Sequence, residues 1–194
     1  MLNEADTRAK LKMIKNQVRK DHYFQWGLQY YIAGRFSWKA FFHPISGILF
    51  HHAIEMFLKG KLLDFYSPEE LRHQFVHNLH KLWNEFKKKH KNQTLDKYDP
   101  IIQQLNKWDD TKYPPQKGFV MYSDFRKGDK TKMDYPKMKV ENQFRINLEE
   151  VDELVKTLFS VSEINPNFFK FILVKNEAKE FFKKDNLHLL DIED

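Results

Sequence analysis

The sequence predicts an all-α protein, an antiparallel bundle of four to five helices with extra terminal helices and a small irregular or β-hairpin insert near residues 115–146. Apolar residues recur at three- and four-residue steps over most of the chain, which is the period of an amphipathic helix. Ser, Asn and Pro stand where several of these segments begin, and they favour helix initiation. The 194 residues suit a single domain, with its core at about residues 22–160 and a C-terminal helical extension at 165–194.

Two helical segments are predicted within the first 42 residues. Residues 4–20 are polar and carry three apolar residues at helical spacing, Leu11, Ile14 and Val18. Residues 22–42 are rich in aromatic residues that recur at three- and four-residue steps, as in a buried amphipathic helix. We therefore assign the aromatic residues of this segment, Trp26 among them, to the core rather than to base stacking.

The next helix is predicted to run from Pro44 to about Leu63. Proline suits the first turn of a helix, where its missing N–H group has no intrahelical partner to lose. Glu55 and Lys59 lie one turn apart in the order that favours an ion pair, and this interpretation is preferred over a catalytic acid and base.

Two further helices are predicted before residue 115. Ser67 and Pro68 open a helix whose apolar stripe continues to Phe86, so one uninterrupted helix is expected there. Asp99 is expected to cap a shorter helix that ends near Trp108.

The hydrophobic period changes in the insert. Residues 118–146 favour short strands around residues 127–129 (KGD), with a long ordered loop as the alternative. Asn147 is expected to cap the helix that follows, and a last helix is predicted over residues 167–184.

Composition excludes several classes of site. The chain has no Cys, which excludes disulfides, thiolate zinc sites, a Cys nucleophile and iron–sulfur chemistry. The six Gly residues do not form a Gly-rich phosphate loop. The net charge of +6 favours an anionic partner such as nucleic acid or a nucleotide. The alternative is a Lys-rich surface without a specific partner. The charged N-terminus and the lack of a long apolar stretch predict a cytoplasmic protein with no membrane contact.

Several short motifs occur in an order that resembles the HEPN superfamily. Residues 31–36 (YIAGRF) and 52–62 (HAIEMFLKGKL) resemble its two long helices, the second of which reads A-x-E-x-x-x-K-A. Residues 77–82 (HNLHKL) are similar to the H-D-L-x-x-L that opens the third helix in one subgroup. Residues 112–114 (KYP) resemble that subgroup's R-Y-P. The resemblance covers roughly residues 22–160.

This resemblance implies a helical bundle that forms a homodimer and handles RNA or nucleotides without a cofactor. Many relatives are metal-independent endoribonucleases of toxin–antitoxin or defence systems, and others are non-catalytic and pair with nucleotidyltransferases. The chain departs from the family pattern at two positions. Asn78 stands where Asp is usual, and Lys112 replaces the usual Arg and so lacks the planar fork that binds phosphate bidentately.

The resemblance also suggests catalytic residues. RNase members use an Arg followed, after four to six residues, by a His, and Arg72 with His77 fits this spacing. His77 would act as general acid and base on a ribose hydroxyl, and Arg72 would stabilise the charge on phosphate. The alternative makes Arg72 a surface residue and His77 a partly buried one. The candidate residues for binding RNA or nucleotide are Glu55, Lys59, His73, His80, Lys112 and Tyr113.

Two other functions stay open. A non-catalytic HEPN-like module would dimerise or pair with a nucleotidyltransferase, and it differs from the RNase in whether the two candidate catalytic residues share a cleft. A metal-binding bundle is the less favoured alternative. His73, His77 and His80 fall at i, i+4 and i+7, and a further ligand could come from His52 or Glu55. Our preferred site contains no metal.

Overall fold

The computed structural model describes residues 4–91, 93–112, 120–124 and 143–188. The predicted all-α bundle is confirmed in these residues. The helices are α1 (Glu4–Lys39), α2 (His43–Leu62), α3 (Pro68–Phe75), α4 (Leu79–His90), α5 (Asp99–Trp108), α6 (Leu148–Ser162), α7 (Phe168–Ile172) and α8 (Asn176–Lys183). Short 3-10 helices, Gln93–Tyr98 and Asp109–Lys112, flank α5, and two strands, β1 (Val120–Asp124) and β2 (Gln143–Asn147), precede α6.

Helices α1 and α2 form an antiparallel hairpin in which aromatic rings lie against glycines. A Cβ atom at Gly27 would be only 2.8 Å from the ring of Phe57, and one at Gly34 would be 2.7 Å from the ring of Phe50. Both rings are fully buried. The missing side chains therefore allow the two helix axes to approach closely, and this brings α1 against the polar residues of α2.

The two predicted N-terminal segments form one continuous helix. Helix α1 runs through residues 20–22 without a break. Its N-terminal part is exposed on all sides. The apolar residues at helical spacing there, Leu11, Ile14 and Val18, each have about half of their surface exposed. The buried part of α1 begins at Phe24.

The prediction of one uninterrupted helix after Ser67 is wrong. Helix α3 ends at Phe75, Val76 adopts a positive φ of 45°, and α4 begins at Leu79 with Asn78 as its N-cap. A β-branched residue rarely adopts positive φ, and the apolar spacing continues through the turn, so Asn78, a preferred N-cap residue, was the one local sign of it. The predicted Ser67 cap is confirmed as a capping box with Glu70.

The last helix predicted over residues 167–184 is also divided. Helix α7 ends at Ile172 and α8 starts at Asn176. The predicted Asn147 cap of α6 is confirmed, because its side chain accepts a hydrogen bond from the Glu150 N–H at 3.0 Å. Asp99 does not cap α5, because its carboxylate instead accepts hydrogen bonds from side chains of α4.

The β-hairpin alternative for the insert is wrong. Strands β1 and β2 pair in parallel, with Val120 opposite Gln143 and Asp124 opposite Asn147. A hairpin joins antiparallel strands through a tight turn, whereas a parallel pair needs a longer crossover. The residues 127–129 on which we centred the predicted strands lie outside the described residues.

A buried polar network fixes the C-terminal region against α1. Arg35 and Asp152 form a fully buried ion pair, and the Tyr31 hydroxyl donates a 2.6 Å hydrogen bond to the same carboxylate. Arg35 also donates to the Lys184 carbonyl oxygen at 3.3 Å, just after α8. In the part of the chain that the structure describes, the helices are all too short or too polar to span a bilayer.

Candidate functional site at the junction of α1, α2 and the α3–α4 turn

The candidate site is centred on Glu55, a carboxylate inside the bundle. Its side chain on α2 is only 1% exposed. Lys59, one turn further along α2, donates to Glu55 Oε1 at 2.5 Å, which confirms the predicted ion pair. On the preceding turn, His52 Nδ1 lies 3.3 Å from Glu55 Oε2. Successive turns of one helix therefore supply a carboxylate, an ammonium group and an imidazole at a single point.

The α3–α4 turn adds His77 to this group. His77 Nδ1 lies 3.2 Å from Glu55 Oε1, and its side chain is 55% exposed. Lys59 also donates to the Val76 carbonyl oxygen at 2.9 Å. Lys59 thus ties the turn to α2, and the positive φ of Val76 directs the chain so that His77 reaches Glu55.

The environment keeps Glu55 ionised at neutral pH. Burial by itself would raise the pKa of this carboxyl group, but the hydrogen bond with His52 and the charge of Lys59 outweigh burial and lower the pKa to about 2. Burial and the negative charge of Glu55 raise the pKa of Tyr23, so this phenol remains a hydrogen-bond donor.

His51 approaches the same carboxylate from the interior. It is fully buried, and its Nδ1 lies 3.0 Å from the Leu105 carbonyl oxygen of α5. Its Nε2 is 3.9 Å from Glu55 Oε2. Burial lowers the pKa of His51 and so favours its neutral form.

An open pocket of about 460 Å³ lies over Glu55. Helices α1, α2 and α3 and the α3–α4 turn line it with Arg19, His22, Tyr23, Trp26, Glu55, Met56, Lys59, Pro68 and His77. The Trp26 side chain, which we assigned to the core, is 59% exposed here. The pocket thus combines cationic groups with an accessible aromatic face.

The structure brings together only some of the residues selected from the sequence. Glu55, Lys59 and His77 form the floor and wall of the pocket. Three others have exposed side chains and do not line it, namely Arg72, His73 and His80. Lys112 ends the second 3-10 helix, and Tyr113 lies outside the described residues.

The prediction that three histidines share one helical face and could bind a metal is wrong. His73 belongs to α3 and His80 to α4, and the turn between these helices removes the regular i, i+4, i+7 spacing. Among the described residues, the group whose ligand atoms do converge is His51, His52 and Glu55, with these atoms within 4.8 Å of one another.

The α1 side of the pocket was missed in the sequence. Arg19, His22, Tyr23 and Trp26 stand at i, i+3, i+4 and i+7, which is one face of a helix. This signal was hidden because we divided α1 near residue 21. A continuous helix would have placed the four residues together.

Comparison with known proteins adds no assignment. No family model matches this chain, and no curated protein or solved structure is significantly similar to it.

Proposed function

We propose that the pocket binds RNA or a nucleotide, in line with the resemblance to HEPN proteins. The observation that carries the proposal is that the exposed Trp26 and Arg19, two turns apart on α1, line one open cavity. An accessible aromatic face stacks on bases irrespective of sequence, and a neighbouring Arg binds phosphate.

The charges in the pocket are compatible with a phosphate ligand. Lys59 neutralises Glu55, so the buried carboxylate does not present an uncompensated negative charge. Arg19, His22 and His77 remain as potential donors to phosphate oxygens around the opening. The net charge of +6 would also attract an anionic ligand over longer distances.

A second candidate function, metal-independent cleavage of RNA, is favoured by the contact between His77 and Glu55. A carboxylate at Nδ1 holds an imidazole in the tautomer that leaves Nε2 free, and it stabilises the imidazolium ion. Nε2 would accept the proton of a ribose 2′-hydroxyl. The oxygen would then attack the adjacent phosphorus and expel the 5′-oxygen, to which the imidazolium returns the proton, leaving a 2′,3′-cyclic phosphate and a 5′-hydroxyl group.

Arg19 is a better candidate than Arg72 for binding phosphate in this pocket. Arg19 and His77 both line the cavity, whereas Arg72, on α3, is not among the residues that line it. In the non-catalytic alternative, the same pocket would bind the ligand without cleaving it, and the homodimer or a nucleotidyltransferase partner would provide the biological activity.

Binding is tested with a fluorescently labelled single-stranded RNA at several salt concentrations. Loss of one stacked base costs about 1–3 kcal/mol, so Trp26→Ala should weaken binding about 5- to 150-fold. In Arg19→Ala, the slope of the logarithm of the binding constant against the logarithm of salt concentration should decrease by the amount expected for about one phosphate contact. The matched controls are Phe65→Ala and Arg72→Ala, an exposed aromatic residue and an exposed Arg outside the pocket. Equal affinities for each variant and its control would refute the proposed pocket.

Cleavage is tested separately, in EDTA, with the same RNA. His77→Ala should abolish the reaction, and His80→Ala should retain it because His80 lies outside the pocket. Binding without cleavage by the wild-type protein would reject the RNase and support the non-catalytic module.

A further inference from the structure

The interior side of Glu55 contains an imidazole nitrogen without a hydrogen-bond partner. His51 Nδ1 must donate its proton to the Leu105 carbonyl oxygen, 3.0 Å away, because a carbonyl oxygen can only accept. In the neutral imidazole this leaves a lone pair on Nε2. This atom is completely buried and has no hydrogen-bond partner among the described residues.

Two carboxylate oxygens lie within 4 Å of this nitrogen. Glu55 Oε2 lies 3.9 Å from His51 Nε2, and Asp109 Oδ1 lies 3.8 Å from it. The lone pair and the two carboxylates repel one another, so a cation placed between them would be stabilised by all three groups.

His52 completes a set of ligands of the kind that zinc prefers. Its Nδ1 lies 3.3 Å from the same Glu55 Oε2, and the three ligand atoms are all within 4.8 Å of one another. Bonds of about 2.0–2.2 Å in a tetrahedral site place neighbouring ligand atoms roughly 3.3–3.6 Å apart, so small side-chain rotations would close the site. Lys59 donates to the other oxygen, Oε1, whereas His77 Nδ1 lies 3.4 Å from Oε2 and would have to give way to the ion.

We propose that His51 Nε2, His52 Nδ1 and Glu55 Oε2 bind one Zn²⁺ ion. Two imidazoles and a carboxylate form a common zinc ligand set, with a fourth position left for water. The hydrogen bond from His51 Nδ1 to the Leu105 carbonyl is the outer contact that orients a ligating His. Asp109 would supply further negative charge near the ion. This site does not depend on the proposed RNA function.

The test uses the full chain after removal of metals with EDTA and dialysis. Zn²⁺ alone is titrated against a chromophoric competing chelator, and Co²⁺ is added in parallel because a tetrahedral cobalt site absorbs visible light. We expect one equivalent of Zn²⁺ per chain, a higher unfolding temperature with Zn²⁺, and tetrahedral cobalt absorption.

The decisive variant is His52→Ala, since His52 is the most exposed of the three ligands, with 22% of its side chain accessible. It should weaken Zn²⁺ binding by at least roughly 100-fold, because it removes a direct ligand rather than an outer contact. His73→Ala and His80→Ala, two exposed histidines outside the cluster, should bind Zn²⁺ like the wild type. Circular dichroism confirms that each variant is folded.

Two results would overturn the zinc site. One is a wild-type protein that binds Zn²⁺ no more tightly than His52→Ala does. The other is a loss of Zn²⁺ affinity in His73→Ala or His80→Ala as large as the loss in His52→Ala. RNA binding and cleavage are measured without added zinc, so a failure there leaves the zinc site standing, and the absence of zinc binding leaves the RNA proposal standing.

Discussion

Replacing Gly47 with Ala tests the packing that positions the interior side of the site. Gly47 lies on α2, and a Cβ atom there would be 2.2 Å from Cδ2 of Trp108 on α5. Ordinary contacts between carbon atoms are about 3.5–4.0 Å, so the indole must move by about 1.3–1.8 Å. Trp108 is fully buried, and its ring packs against Phe144 with centroids 5.0 Å apart, so it has little space to move.

Two effects of opposite sign determine the magnitude. Ala is favoured over Gly inside a helix by about 1 kcal/mol. Overpacking a well-filled core costs about 1–3 kcal/mol, and the large displacement at Trp108 places this variant at the upper end. We therefore expect Gly47→Ala to lower the free energy of unfolding by about 2 kcal/mol. Gly27→Ala is the matched control, because it gains the same helix propensity. Its Cβ atom would lie 2.8 Å from the Phe57 ring, so the ring has a shorter distance to move.

The assay is urea unfolding followed by far-ultraviolet circular dichroism, with free energies taken at constant m-value. Gly47→Ala should be less stable than Gly27→Ala. Combination with Trp108→Leu should cost at least about 0.5 kcal/mol less than the two single changes together, because the smaller side chain removes the clash. A Gly47→Ala variant as stable as the wild type, or strictly additive energies in the double variant, would refute the packing argument.

Other predictions follow from polar contacts. Asp152→Asn should cost about 3–5 kcal/mol in urea unfolding, since the buried Arg35 loses its counter-charge. Asn78→Ala should cost about 1 kcal/mol by removing the cap of α4, whereas Asn78→Asp should keep the wild-type stability in the same assay. The hydrogen bond from the Tyr66 hydroxyl lowers the pKa of Glu85, so Tyr66→Phe should raise this pKa toward its ordinary value. The pKa is measured by NMR titration of the Glu85 carboxyl group. An unchanged pKa would contradict the 2.6 Å hydrogen bond.

The sequence predicts the parts of the fold that local interactions determine. The first turn of α2 with Pro44, the Ser67 capping box and the Asn147 cap all depend on residues within one helical turn. The pair of Glu55 and Lys59 belongs to the same class, because residues four apart are neighbours on any helix. Such features appear in the structure much as the spacing indicates.

The turn at residues 76–78 could not be predicted from the apolar pattern. Apolar residues continue at helical spacing from Leu71 to Phe86, so the period indicates one helix, and only the N-cap residue Asn78 indicates a new start. In the structure Lys59, 17 residues before Val76, donates to the Val76 carbonyl oxygen at the break. This contact between separate elements holds the turn against α2, and the turn places His77 at the pocket rather than on a regular helical face.

The α1 residues of the pocket show a different kind of failure. Their spacing was present in the sequence, but the charge of residues 4–20 suggested a segment separate from the aromatic one that follows. The exposure of Trp26 was also unpredictable, because an aromatic residue at helical spacing is compatible with core and with surface. Only the position of α3 and the α3–α4 turn decides which side of α1 borders a cavity.

Stability alone does not explain why a carboxylate and an ammonium group lie inside this bundle. Replacing a buried ion pair by apolar residues of similar volume is often neutral or stabilising, so the pair of Glu55 and Lys59 is not needed to hold α2 in the core. Its contacts indicate a different role. Lys59 fixes the turn that carries His77, and Glu55 faces imidazoles with both oxygens, His77 at Oε1 and His52 at Oε2. Charged groups retained at a cost and surrounded by titratable side chains are typical of functional sites, and this is the physical reason for placing both proposals at Glu55.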